Sequence, residues 1–87
     1  MNVICMYDAE NKKCIKFQKL LKRYLYPVQK SVFQGTLTPA QFRRLKSELE
    51  KLASEKDSVC LFYTYNDKAM YCDNIGKKLR NKRIIID

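Results

Sequence analysis

Apolar residues recur along this chain with two spacings, and the places where one gives way to the other divide it into elements. The opening NVICMY is a short, β-prone apolar run that predicts a strand buried on both faces or nearly so, stopping at Asp8 where a charge becomes tolerable. From Glu10 to about Leu25 the pattern turns helical. Cys14, Phe17, Leu21 and Tyr24 share one face, and Lys12, Lys13, Lys16, Lys19, Lys22 and Arg23 fill most of the rest. Pro27 ends this helix and biases Tyr26 toward extended geometry, so VQKSVF reads as a strand and Gly35 as the turn after it.

A second helix start follows. Thr38 can cap, Pro39 suits the first helical position and Gln41 completes a capping box. Phe42, Leu45, Leu49 and Leu52 then form one apolar stripe, with Arg43, Arg44, Lys46, Glu48, Glu50 and Lys51 outside it. Asp57 and Ser58 close the connection to SVCLFYTY, whose Val, Phe and Tyr content predicts a central strand. Asn66 and Asp67 read as a turn, and AMYCDNIG as a shorter strand ending at Gly76.

This order, with right-handed crossovers, predicts an α+β fold: a ferredoxin-like βαββαβ sandwich with a short hairpin around Gly35 and both helices on one face of the sheet. Residues 1–87 form a single domain, with no internal repeat beyond that two-fold pattern and no linker. The tail, 76–87, is basic and then apolar. An exposed RIIID end is adhesive unless another chain accepts it, so the tail is expected to add a C-terminal strand exchanged across a homodimer. Deleting Lys82 to Asp87 should weaken that dimer. Length argues the same way: a domain of 87 residues buries only roughly 60 % of its unfolded surface, and a second protomer would cover part of the remainder.

Charge adds a partner class. There are 18 Lys and Arg against 9 Asp and Glu, a net charge of +9. Such an excess suits a polyanion, nucleic acid above all, although a solubilising basic surface gives the same composition. No apolar run approaches the roughly 20 residues of a membrane span, and MNVICMYD lacks the features of a signal peptide, so no membrane partner and a cytoplasmic location are expected. The cysteines at 5, 14, 60 and 72 contain no C-x-x-C pair, and the chain has no histidine. They read as reduced, mostly buried apolar residues.

Three stretches carry a resemblance: YD at 7 and 8, YLYPVQKSVFQGTL from Tyr24 to Leu37, and DSVCLFY from Asp57 to Tyr63. At these spacings the chain resembles the Cas-two family of CRISPR adaptation proteins over nearly its whole length. It departs from the family pattern at Gln34, where an acidic residue is common, at Cys60, where an arginine often follows the DSV triplet, and at Pro27 in place of a looser turn. The resemblance implies a homodimer in which two copies of Asp8 face each other and share a magnesium, or manganese, ion. It further implies cleavage of single-stranded RNA or double-stranded DNA, and a bridging role between integrase (Cas-one) dimers during insertion of new spacers.

One carboxylate per chain is little for a nuclease, yet magnesium often binds through one or two carboxylates and completes its octahedron with water and phosphate oxygens. Asp8 would be a ligand first. Taken without the resemblance, Asp8 reads first as a cap or turn acceptor at the start of the first helix. Tyr7, Ser31 and Phe33 are the expected site supports, Ser31 and Phe33 lying on alternate residues of one predicted strand, with core packing the plainer role for Phe33. Lys12, Lys13, Lys16, Arg43, Arg44, Lys77, Lys78 and Arg80 are the candidate phosphate contacts, which position nucleic acid without reading its sequence. Three functions compete: a nucleic-acid-binding subunit of spacer integration with an Asp8-centred nuclease, a toxin-like ribonuclease of the same fold, and a non-catalytic RNA-binding domain.

Overall fold

A computed structural model describes residues 1–66 and 69–76. Seven elements follow one another: β1 (Asn2–Asp8), α1 (Asn11–Leu21), β2 (Tyr26–Gln29), β3 (Val32–Thr36), α2 (Pro39–Leu52), β4 (Ser58–Asn66) and β5 (Ala69–Gly76). The strands form one antiparallel sheet in the order β2-β3-β1-β4-β5. The first four strands in that order make the expected ferredoxin-like sheet, and β5 continues it beside β4. Both helices cover one face. The segment 77–87, with its expected strand exchange, lies outside the described residues.

Alternation along β1 decides which face is which. Val3, Cys5 and Tyr7 point into the core, while Asn2, Ile4, Met6 and Asp8 point away. The expectation of a strand buried on both faces is therefore corrected: within one chain only the helical side of the sheet is covered, and Ile4 and Met6 remain 37 % and 40 % exposed. On the covered side Phe17, Leu20 and Leu21 of α1 and Phe42, Leu45 and Leu49 of α2 close over Phe33, Val59 and Leu61.

α2 starts as its sequence predicts. The Thr38 side chain accepts from the Gln41 amide at 3.1 Å, the Gln41 side chain accepts from the Thr38 amide at 2.9 Å, and Pro39 occupies the first turn. α1 ends at Leu21, earlier than Leu25, because the next residues tighten: Arg23 and Tyr24 donate to carbonyls three residues back, and Leu25 bonds Leu21 at 2.7 Å.

The hairpin turns earlier than its glycine suggests. VQKSVF is two strands folded at Lys30 and Ser31, and Gly35 lies inside β3. A Cβ at Gly35 would come within 2.9 Å of the Leu25 side chain, so the glycine marks a close approach within the sheet rather than a turn. β4 is interior, flanked by β1 and β5, but β1 holds the centre. No helix among the described residues is long and apolar enough to cross a membrane.

Candidate metal and nucleic-acid site

Asp8 is the last residue of β1, opposite Ser58 of β4, and its exposed side chain stands on the open face of the sheet. The reading of Asp8 as a helix cap does not hold, since α1 is capped from Glu10, which makes no side-chain cap bond. Among the described residues no hydrogen bond or ion pair engages the Asp8 carboxylate. Its backbone position is nevertheless well fixed. The Tyr7 amide donates to the Ser31 carbonyl at 3.2 Å and the Tyr7 hydroxyl to the Lys30 carbonyl at 3.3 Å, tying the end of β1 to the β2–β3 turn. The Tyr7 ring stacks against Phe17 at 5.2 Å and Phe33 at 6.4 Å between centroids.

The three support residues thus gather around the end of β1, though not as a lining. Tyr7 and Phe33 are core residues, and burial pushes the Tyr7 phenol up, away from any acid–base role. Ser31 contributes its carbonyl from the turn and is not on a strand with Phe33.

No group of three or more metal-ligating side chains exists among the described residues. The Asp8 carboxylate offers a hard oxygen donor that is exposed and, among the described residues, uncommitted. That fits magnesium, which accepts one or two carboxylates and fills its other positions with water and phosphate oxygens. The fit requires a second carboxylate or a nucleic-acid phosphate from outside this chain.

The predicted basic residues divide by position. Lys12 and Lys16 are exposed on the early turns of α1, at the Asp8 end of the sheet. Lys13 is half-buried and committed to an ion pair with Asp57 at 3.0 Å, so its ammonium is not a free phosphate contact. Arg43 and Arg44 are exposed on the early turns of α2, which follows the Thr36 end of β3. Thr36 pairs with Asn2, so these arginines sit at the end of the sheet away from Asp8, roughly 20 Å off at about 3.3 Å per strand residue. Lys77, Lys78 and Arg80 lie outside the described residues.

Asp57, which the sequence places in the connection before β4 and at the head of the DSVCLFY stretch, is a buried carboxylate. Its Oδ2 accepts from the Ser54 amide at 2.8 Å, the Ser54 hydroxyl at 3.1 Å and Lys13 at 3.0 Å. Burial pushes this carboxyl up, but the Ser54 and Lys13 donors outweigh it and hold the group below the usual carboxylate range. The bracket joins α1 to the loop before β4, next to the Asp8–Ser58 pair.

A second cluster joins residues that are far apart in sequence. Glu48 accepts from Arg23 at 3.2 Å and from the Tyr24 hydroxyl. The Tyr24 bond, with Arg23 beside it, lowers the Glu48 carboxyl, while burial and then Glu48 itself raise the Tyr24 phenol. Arg23 and Tyr24 were legible only as residues of a basic, amphipathic helix, because their partner lies 25 and 24 residues away.

On the open face, Ile4, Tyr26, Phe62 and Met70 line a trough of about 670 Å³ that opens beside Thr36 and Thr64. Met6 continues this apolar surface toward Asp8.

The sequence model of the family described as "CRISPR associated protein Cas2" matches residues 1–71. The chain is 35 % identical over 71 residues to the CRISPR-associated endoribonuclease Cas2 of Thermotoga maritima, covering 82 % of each chain. It is 39 % identical over 69 residues to the protein of the same name from Haloferax volcanii, covering 79 % of this chain and 80 % of that one. Among solved structures it resembles Streptococcus pyogenes Cas2, with a TM-score of 0.68 and 30 % identity over 77 % of this chain and 89 % of that one. A second Cas2 crystal structure, also at a TM-score of 0.68, is 32 % identical and extends over 97 % of this chain and 84 % of that one. Matched by its family's model over most of its length and sharing the Cas2 fold, this chain belongs to the CRISPR-associated Cas2 family.

Proposed function

We propose that this protein acts as a homodimeric, magnesium-dependent endonuclease centred on two copies of Asp8, and as the nucleic-acid-binding subunit that bridges integrase dimers in spacer acquisition. The observation that carries the reading is the position of Asp8: exposed, uncommitted among the described residues, and on the same open sheet face as Ile4 and Met6. An apolar face that one chain leaves uncovered favours a second copy, because burying it contributes about 25 cal/mol per Å² of apolar surface. In a two-fold interface both copies use the same patch, and residues near the axis meet their own copies; the reading places Asp8 there. A second Asp8 then supplies the carboxylate that one chain lacks. The relatives' name, endoribonuclease, favours RNA as the scissile strand.

In such a dimer the two Asp8 carboxylates hold the cation, and Lys12 and Lys16 draw the strand's phosphates toward that end of the sheet. Magnesium, or manganese, when bound there supplies charge neutralisation at the phosphate and acidification of a bound water. Without histidine, the chain has no imidazole to act as general base. Tyr7 keeps Asp8 in place through the Lys30 and Ser31 carbonyls and takes no proton. The bridging role draws on the basic surface as a whole and is separable from cleavage.

The test compares wild type and Asp8→Ala on labelled single-stranded RNA and duplex DNA, with magnesium, with manganese and with chelator, once sedimentation has established that both are dimers. Cleavage that needs the metal and disappears with Asp8 supports the reading and identifies the substrate. Metal-dependent cleavage that survives in Asp8→Ala rejects Asp8 as its centre. If both proteins are inert yet bind duplex DNA, the nuclease half of the reading fails and the scaffold half stands.

A further inference from the structure

At the end of the sheet remote from Asp8, the turn after α1, the early turns of α2 and the edge strand β2 border a polar groove of about 350 Å³, its walls including Arg23, Tyr24, Tyr26, Thr36, Gln41 and Arg44. The nuclease reading gives this groove no part. We propose that it is a second nucleic-acid contact that holds one unstacked nucleotide of a single strand, the phosphate on Arg44 and the base on Tyr26. The proposal rests on the reading of this chain as a nucleic-acid-binding protein, and not on Asp8.

Three observations carry it. Tyr26 is 76 % exposed, a large aromatic ring left in solvent on an edge strand, and a nucleic-acid base is a flat partner that stacks on such a ring whatever its identity. Arg44 is exposed and has no ion-pair partner among the described residues, whereas Arg23, on the opposite wall, is bonded to Glu48 and lies over the Tyr24 ring at 5.7 Å. One guanidinium is thus held in place and partly neutralised by Glu48, and the other is available to a phosphate. The remaining walls, Thr36 and Gln41, offer polar hydrogen-bonding groups to a sugar or a base edge.

Size and charge narrow the occupant. The volume is at the lower end for a small-ligand pocket and too small for a protein element. An apolar protein partner would strip water from Arg44 without returning a countercharge. A duplex keeps its bases stacked on one another and presents no free base face to Tyr26. A single strand presents both the free base and the phosphate.

The experiment measures binding of a short labelled single strand and of a duplex of the same sequence, at low salt and with chelator so that nothing is cut, by wild type, Tyr26→Ala, Tyr26→Phe and Arg44→Gln. Both residues are exposed within one chain, and because the Tyr26 ring also borders the open-face trough, sedimentation is used to show that each variant keeps the oligomeric state of the wild type. Tyr26→Ala is expected to lose about tenfold in single-strand affinity, within the range for removing one base–aromatic stack, and Tyr26→Phe to retain it. Arg44→Gln should lower single-strand affinity and reduce the salt slope by about one counterion. Duplex affinity should be unchanged by Tyr26→Ala.

Single-strand binding that is indifferent to Tyr26→Ala, or that falls equally for strand and duplex, overturns the proposal and leaves the nucleic-acid reading intact. A wild-type protein that binds neither nucleic acid overturns both.

Discussion

Replacing Asp57 by Asn should cost about 2 kcal/mol of stability at neutral pH, and the loss should fade in acid. The carboxylate is 3 % exposed and one oxygen collects three donors, from the Ser54 amide and hydroxyl and from Lys13. Asn keeps an acceptor of the same shape, so the two Ser54 bonds survive as neutral ones, each weaker by about 0.5–1 kcal/mol. Lys13 is 28 % exposed and can turn to water, which limits its share to a similar amount. For a domain of this size about 2 kcal/mol lowers the melting temperature by roughly 10 °C.

Thermal unfolding of both proteins at one fixed concentration, from neutral pH downward, provides the assay; the concentration must be fixed because dimerisation shifts the apparent stability. Since the folded carboxyl titrates below its unfolded value, its contribution is complete above the unfolded pKa of about 3.9 and is lost as pH falls through the folded value. The gap between wild type and Asp57→Asn should therefore narrow below about pH 4. Equal melting temperatures at pH 7, or a gap unchanged by acid, would refute the bracket as a source of stability.

Other positions give equally direct tests. Gly76 has φ of 91° and a Cβ there would lie 2.4 Å from the Asp57 carbonyl oxygen, so Gly76→Ala should destabilise by about 2 kcal/mol or more in denaturant titration, and a neutral result would contradict the close approach. Thr38→Ala removes half of the α2 capping box and should cost about 1 kcal/mol in the same titration, with Thr38→Ser near wild type. The Cys5 thiol is fully buried, and burial, then the neighbouring Cys60, pushes it up to about 12; it should resist alkylation in the native protein at mildly alkaline pH and react only on unfolding, as peptide mass spectrometry would read out.

On the proposed reading, two tasks separate along β1. The Asp8 end carries a rigidly placed carboxylate with Lys12 and Lys16 nearby, and the Asn2 end carries Arg44 and Tyr26 on the far side of the sheet's length. On that reading, a strand that reached both ends would be held at one and would meet the proposed Asp8 centre at the other. That division is invisible in net charge, which counts every lysine and arginine alike.

What the sequence determined by itself is local. The helix stripes of Phe17 and Leu21 and of Phe42, Leu45 and Leu49, the Thr38–Gln41 capping box and the strand that stops at Asp8 follow from side-chain periodicity and from backbone groups satisfied within a few residues. What depended on distant partners could be decided only by the tertiary structure. Gly35 looked like a turn because glycine permits one, whereas its role is to let Leu25 approach the sheet. Lys13 looked like a phosphate contact because its counter-ion is 44 residues away in sequence, and Arg23, Tyr24 and Glu48 likewise meet only when α1 packs beside α2. The open face of β1 is hidden from the sequence for the same reason: an apolar run states that its residues prefer burial, and only the placement of both helices on one side decides which of them are covered within a single chain.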